Sequence, residues 1–184
     1  PARIESCGLL VKEMLEAGCI VQVFDHNLQE VNGILIGAGG WATSVDYRIN
    51  KANNAARYFH DNKMNSQAIA EFCESVEDKL NQLGITIKKK EYDVSENSFQ
   101  ENEQQLYKMI EEKYNEQGQL ISAERKSSIL VDVRSIIMVY RERKSQTATR
   151  IQNSKQIMIT LNCAIANVSK KYESNQSINA GHIP

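Results

Sequence analysis

Residues 18–31 read GCIVQVFDHNLQEV, and this stretch decides the class of fold that the sequence predicts. Residues 19–25 are short, β-branched and aromatic, which is typical of a buried strand. Asp25 or Asn27 can cap the helix that follows. That helix is expected to end at GAGG, residues 37–40, because a segment so rich in glycine rarely stays helical. A strand leading directly into a helix indicates an α/β fold.

The rest of the chain continues this alternation of helices and short strands. Ile85 and Ile87 alternate with polar residues in a second predicted strand at residues 85–93, and QIMIT at residues 156–160 predicts a third. Long helical segments separate the three strands, so the strands must run mostly parallel. We therefore expect a small, mainly parallel sheet surrounded by many helices, followed by a loose tail at residues 173–184.

Composition restricts the class of protein. The 184 residues are 41% hydrophobic and 24% charged, with a formal net charge of −1, so the chain can bury a core and has no strongly basic tail. Its four cysteines are far apart, which argues against a zinc site and a disulfide scaffold. The sequence contains no run of about 18 apolar residues, which a transmembrane helix would need. We expect a cytoplasmic protein.

Two acidic residues are candidate metal ligands. Glu30 lies one turn into the helix after the first strand, where the helix dipole alone would also favour an acid. Asp132 interrupts the apolar segment ILVDVRSIIMVY, and a buried Asp needs a partner or a metal. The alternatives for Asp132 are an ion pair with Arg134, a hydrogen bond with Ser135, or a position facing solvent. Mg²⁺ and Mn²⁺ prefer such hard oxygen donors.

Polar residues after the third predicted strand are also candidates. Thr160 and Asn162 follow QIMIT, and the Asn162 carbonyl oxygen can either bind a hard cation or cap the next helix. Four cations cluster after the preceding long helix, namely Arg141, Arg143, Lys144 and Arg150. They indicate either a patch that attracts phosphates or the cations that commonly decorate a helix C-terminus.

Three stretches, taken in order, resemble the PIN-like domains of bacterial proteins, which are metal-dependent nucleases. They are VQVFDHNLQEVNGIL, ILVDVRSIIMVYRERK and KQIMITLNCAIANVSKKY. The resemblance implies a three-layer α/β/α domain over residues 1–172. It also implies an Mg²⁺ or Mn²⁺ ion bound by Glu30, Asp132 and Asn162, and endonucleolytic cleavage of single-stranded RNA. Thr160, Arg141, Arg143 and Lys144 would contact the nucleic acid.

One part of the PIN-like pattern has no counterpart in the sequence. Such domains open with a strand that ends in an Asp ligand, whereas residues 3–17 already match the helix that would follow it. The resemblance thus implies a domain that lacks its first strand, which either a longer natural protein or a homo-oligomer or partner chain would supply. The alternative function is a catalytically inactive PIN-like module that binds RNA or a protein partner.

Overall fold

The structure is a computed structural model that describes residues 2–89, 103–116, 118, 122–143 and 153–179. The chain divides into two compact units, Pro1–Lys90 and Glu91–Pro184. The described residues form eight helices and one small parallel sheet, which agrees with a mixed α/β class that is mostly helical.

The first unit contains five helices and both strands. Its elements in chain order are α1 (Ala2–Glu16), β1 (Gln22–Phe24), α2 (Asp25–Ala42), α3 (Asn54–Asp61), α4 (Ser66–Glu74), α5 (Val76–Gln82) and β2 (Thr86–Lys88). β1 and β2 are parallel, with Gln22 opposite Thr86 and Phe24 opposite Lys88. Two of the predicted strands and their parallel direction are therefore confirmed.

The helices before the two strands end in the same kind of turn. Gly18 has φ +78° and Gly84 has φ +80°, a left-handed conformation in which glycine carries no Cβ penalty. After α1, Cys19 N–H donates to Met14 O; after α5, Ile85 N–H donates to Leu80 O, each at 2.9 Å. These bonds close a Schellman motif at each helix end.

The core of the first unit lies where α2, α3 and α4 meet. Phe59 of α3 is fully buried there, and the buried residues packed around it are mostly small: Ala38, Ala42, Ala52, Ala56, Ile69 and Cys73. A Cβ on Gly39 would lie 2.5 Å from the Ile69 Cγ2 atom, so only glycine allows α4 to approach this closely. The expectation that α2 ends at residues 37–40 was wrong, because α2 continues to Ala42 and buries Ala38 and Gly39 against this core.

In the second unit, the described residues form three helices around a largely aliphatic core. They are α6 (Glu103–Glu116), α7 (Ala123–Glu142) and α8 (Cys163–Asn179). Fully or almost fully buried side chains come from all three helices: Leu106, Ile110, Tyr114, Ile129, Val133, Ile136, Ile137, Ile165, Val168 and Tyr172. α8 continues to Asn179, so the first part of the predicted loose tail at residues 173–184 is helical.

Residues 156–160 form no strand in the described structure, although the sequence predicted one there. Their side chains nevertheless alternate, with Ile157 and Ile159 exposed and Met158 packed against the core of the second unit. The alternation is that of an extended chain. Among the described residues the segment has no paired strand beside it, since the sheet there contains β1 and β2.

Candidate metal and nucleic-acid site

Glu30 belongs to the first unit, in the helix that starts where β1 ends. β1 finishes at Phe24 and α2 begins at Asp25, so no loop separates the strand from the helix. Gln29 Nε2 donates to Asp25 Oδ2 at 2.8 Å, which orders the acidic first turn. The Glu30 side chain is half-buried at the next turn. This places a carboxylate near the carboxyl end of a parallel strand, where sheets of this kind bind ligands.

Asp132 belongs to the second unit, at the margin of the buried face of α7. It is half-buried, while its neighbours Ile129 and Val133 are in the core. The Ser135 hydroxyl donates to Val131 O at 2.9 Å, one turn back along the helix. Arg134 is exposed. The unusual Asp in an apolar segment is thus placed beside the core and not within it, which leaves its carboxylate within reach of solvent.

Asn162 caps the N-terminus of α8. Its Oδ1 atom accepts hydrogen bonds from Ala164 N–H at 3.1 Å and from Ile165 N–H at 3.4 Å. Its Nδ2 atom donates to the Tyr114 hydroxyl at 2.6 Å. A carbonyl oxygen has two lone pairs, and both here face backbone donors. Coordination of a cation by Oδ1 would require Asn162 to release these capping bonds.

Thr160 and Tyr114 fix the Asn162 side chain from two directions. The Thr160 Oγ1 atom accepts from Asn162 N–H at 3.0 Å, which bends the chain into the helix. Tyr114 is buried, and the Arg125 guanidinium lies 4.2 Å from its ring centroid. Neither Tyr114 nor Arg125 was a candidate from sequence, because only the fold brings residues 48 positions apart into contact.

Arg143 uses its guanidinium inside the second unit. Nε donates to Gln156 O at 2.7 Å, and Nη1 donates to the Glu173 carboxylate at 3.1 and 3.3 Å. The Arg143 and Glu173 side chains are only 19% and 23% exposed. Gln156 Nε2 in turn donates to Glu142 Oε2 at 3.1 Å. We call Arg143, Gln156 and Glu173 the clasp, since together they tie the extended segment to α7 and α8.

The structure says less about Arg141 and Lys144, the other cations predicted to contact nucleic acid. Arg141 is half-buried in the last turn of α7, and Lys144 lies outside the described residues. Of the predicted cations, the structure describes Arg141 and Arg143, and the charge of Arg143 is balanced by the Glu173 carboxylate. No local signal in the sequence links residues 30 positions apart, which is why this ion pair was not foreseen.

The predicted ligands are divided between the two units, with Glu30 in the first and Asp132 and Asn162 in the second. Among the residues that the structure describes, no three His, Cys, Asp or Glu side chains form a group suited to a metal.

All four cysteines are free, and burial, with a smaller contribution from Glu74, raises the pKa of the Cys73 thiol. In the described part of the chain no helix is long and apolar enough to cross a membrane.

Comparison of the chain with protein families, with curated proteins and with solved structures found no match.

Proposed function

We propose that the chain is a PIN-like domain of a cytoplasmic, metal-dependent endoribonuclease that cleaves single-stranded RNA. The observation that supports this best is the start of α2 directly at the carboxyl end of the parallel strand β1, with half-buried Glu30 on its next turn. The Thr160–Asn162 step supports it further only on the side of the nucleic acid, because it lies at the N-terminus of α8, the end of a helix that attracts phosphate.

The proposal assigns the ion ligands to Glu30, Asp132 and Asn162. Both carboxylates fit Mg²⁺ or Mn²⁺ by donor type, and both are half-buried, so the ion would offset part of their desolvation. Asn162 fits less well, since its Oδ1 atom already accepts two backbone hydrogen bonds. When bound, such an ion neutralises phosphate charge and lowers the pKa of a water nucleophile.

The remaining residues would hold the RNA and complete the fold. Thr160, Arg141 and Lys144 would contact phosphates, which positions a nucleic acid without reading its sequence. The Arg143 guanidinium is already used by Gln156 and Glu173, and for that reason we exclude it from this contact. The proposal also gives residues 156–160 the place of a third strand in a three-layer, mainly parallel PIN-like fold.

The test is Mn²⁺-dependent cleavage of a labelled single-stranded RNA by the full chain. Asp132→Asn keeps the shape of the side chain and removes its charge, so we expect cleavage to fall by about 100-fold or more. Glu112→Gln changes an exposed acid on α6 and should leave the rate unchanged. Equal rates for wild type and Asp132→Asn, or activity that persists when Mn²⁺ is chelated, would exclude Asp132 as a ligand.

The capping bonds of Asn162 favour a second candidate, an inactive PIN-like module that binds RNA or a protein partner. A cap that is fully hydrogen-bonded needs no cation to explain its position. This module would bind RNA in the presence of a chelator without cutting it. Because phosphate contacts release counterions, that affinity should fall as salt increases, whereas binding to a protein partner need not follow that slope.

A further inference from the structure

Three cations of the first unit meet at one turn before α3. Lys51 N–H donates to Arg48 O at 3.0 Å, which closes a turn over residues 48–51. The two ends of such a turn lie within about 7 Å of each other, so Arg48 and Lys51 are neighbours. Arg57 Nε on α3 donates to Ile49 O at 3.1 Å, which fixes a third cation beside the same turn. We call Arg48, Lys51 and Arg57 the basic cluster.

The basic cluster has no acidic partner among the described residues. Its three side chains are exposed, and within that part of the chain none of them forms an ion pair. The nearest acids in sequence are Asp46 and Asp61, and Asp61 Oδ1 lies 3.5 Å from His60 Nδ1. The whole chain carries 22 cations and 23 acids, so three neighbouring cations without an acid form a local positive excess. Such an excess attracts anions.

A stacked pair of rings stands next to the basic cluster. The Tyr47 and His60 rings have centroids 4.0 Å apart and planes only 12° apart. Tyr47 directly precedes Arg48 and packs against the core of the first unit, whereas the His60 side chain is 48% exposed. His60 follows Arg57 by three residues on α3, so the two side chains share a side of the helix. The core thus braces one ring, and a further flat ring can stack on the other with little loss of conformational freedom.

We propose that the basic cluster and His60 bind single-stranded RNA, with phosphates held by the cations and one base stacked on the imidazole ring. The choice of RNA rests on the proposed function. Cations beside an exposed, braced ring match a single strand, because its phosphates need positive charge and its unpaired bases need a flat partner. A duplex already stacks its bases on each other, and an anionic membrane would use the cations but not the ring.

This surface lies at the other end of α2 from Glu30. The twelve residues from Glu30 to Ala42 span about 18 Å of helix, and the basic cluster follows Ala42 in the chain. The surface would therefore hold RNA away from the proposed ion. Its residues would contribute to binding and not to the chemical step, so their loss should raise KM and leave kcat unchanged.

The experiment measures the anisotropy of a short, labelled single-stranded RNA titrated with the full chain in the presence of a chelator. We expect the logarithm of the affinity to fall with the logarithm of salt with a slope of about −2, since each of three phosphate contacts contributes about 0.7 on a single strand. Arg48→Ala combined with Lys51→Ala should reduce that slope by about 1.4. Lys12→Ala combined with Lys126→Ala is the matched control, because it removes two exposed cations outside the basic cluster. Its slope should equal that of wild type.

The stacking contact has its own variants. His60→Ala should weaken binding about 10-fold, within the range for loss of one stacked base, and His60→Phe should restore most of the affinity because it keeps a ring. Tyr58→Ala removes an exposed ring that does not share a side of α3 with His60, so it should leave the affinity unchanged. A duplex of the same sequence should bind more weakly. Circular dichroism should show that all variants fold.

Equal affinity for wild type and Arg48→Ala/Lys51→Ala overturns the proposal, and so does equal loss in the matched control. Val45 and Ile49 are exposed in the same loop, so binding to phosphatidylserine vesicles without binding to RNA would assign this surface to a membrane instead. The chelator separates the result from the proposed nuclease. Metal-free binding that the variants abolish, without any Mn²⁺-dependent cleavage, supports the surface and removes the nuclease. Cleavage whose KM does not change in the variants does the reverse.

Discussion

Residues 22–24 and residues 156–160 have similar sequences and different structural outcomes. Both are short, β-branched segments that the sequence predicted as strands. The first forms β1 and is held by backbone pairing with β2. The second is held by side chains, namely Met158 in the core and the clasp around the Gln156 carbonyl. Local sequence thus determines whether a chain is extended, but pairing depends on whether another segment lies alongside.

The largest loss of stability should come from a change in the core of the first unit, which contains β1. Phe59→Ala deletes a fully buried ring, and we expect a loss of about 3–5 kcal/mol in the free energy of unfolding. Trp41 is the only tryptophan and packs against the same core, so its fluorescence during urea unfolding reports this unit. Tyr58→Ala, at an exposed neighbour, should change stability far less. Similar losses for both variants would contradict the assigned core.

A smaller effect should follow from loosening the clasp. Arg143→Lys keeps the charge but loses the Nε bond to Gln156 O and the fixed geometry towards Glu173. We expect the free energy of unfolding to fall by about 1.5–3 kcal/mol, the range for hydrogen bonds to charged groups. Amide exchange of residues 156–160 should become faster. Arg134→Lys changes an exposed residue of α7, so it should neither lower the stability nor speed up amide exchange. If it does either, the clasp is not what holds the segment.

The smallest loss of stability should follow from removing the helix cap at Asn162, just after residues 156–160. Asn162→Ala removes the oxygen that accepts from Ala164 and Ile165 N–H, and we expect a loss of about 1–2 kcal/mol in thermal or urea unfolding. Asn162→Asp keeps an accepting oxygen and should retain most of the stability. If the stability of the metal-free chain is the same for wild type and Asn162→Ala, the capping role assigned to this side chain is wrong.

Much of the secondary structure was predictable because its signals are local. The strand at residues 22–24 and the turns at Gly18 and Gly84 follow from propensity and glycine position. The expected cap at Asp25 or Asn27 was wrong, because α2 already begins at Asp25 and its N-cap residue, Phe24, has no side-chain cap bond. Residues 37–40 were mispredicted because the helix there is stabilised by contact between Gly39 and Ile69, which sequence spacing does not reveal. Tertiary packing overrode the low helix propensity of glycine.

The candidate site was less predictable than the fold. Asn162 as a helix cap was one of the two readings that its position allowed, and the structure provides the capping bonds. The partners of Asn162 and Arg143 were not visible, since Tyr114 and Glu173 lie 48 and 30 residues away in sequence. Whether Glu30, Asp132 and Asn162 bind one ion stays a prediction.

The repeated turn before the two strands has a consequence for how this chain tolerates change in length. β1 begins four positions after Gly18 and β2 two positions after Gly84, and these two short spacers help to set which residues of the strands stand opposite each other. Lengthening α1 or α5 upstream of its glycine would leave the pairing untouched. Adding a single residue after either glycine would turn one strand over and exchange its two faces. Insertions would therefore be tolerated or rejected according to which side of these glycines they fall.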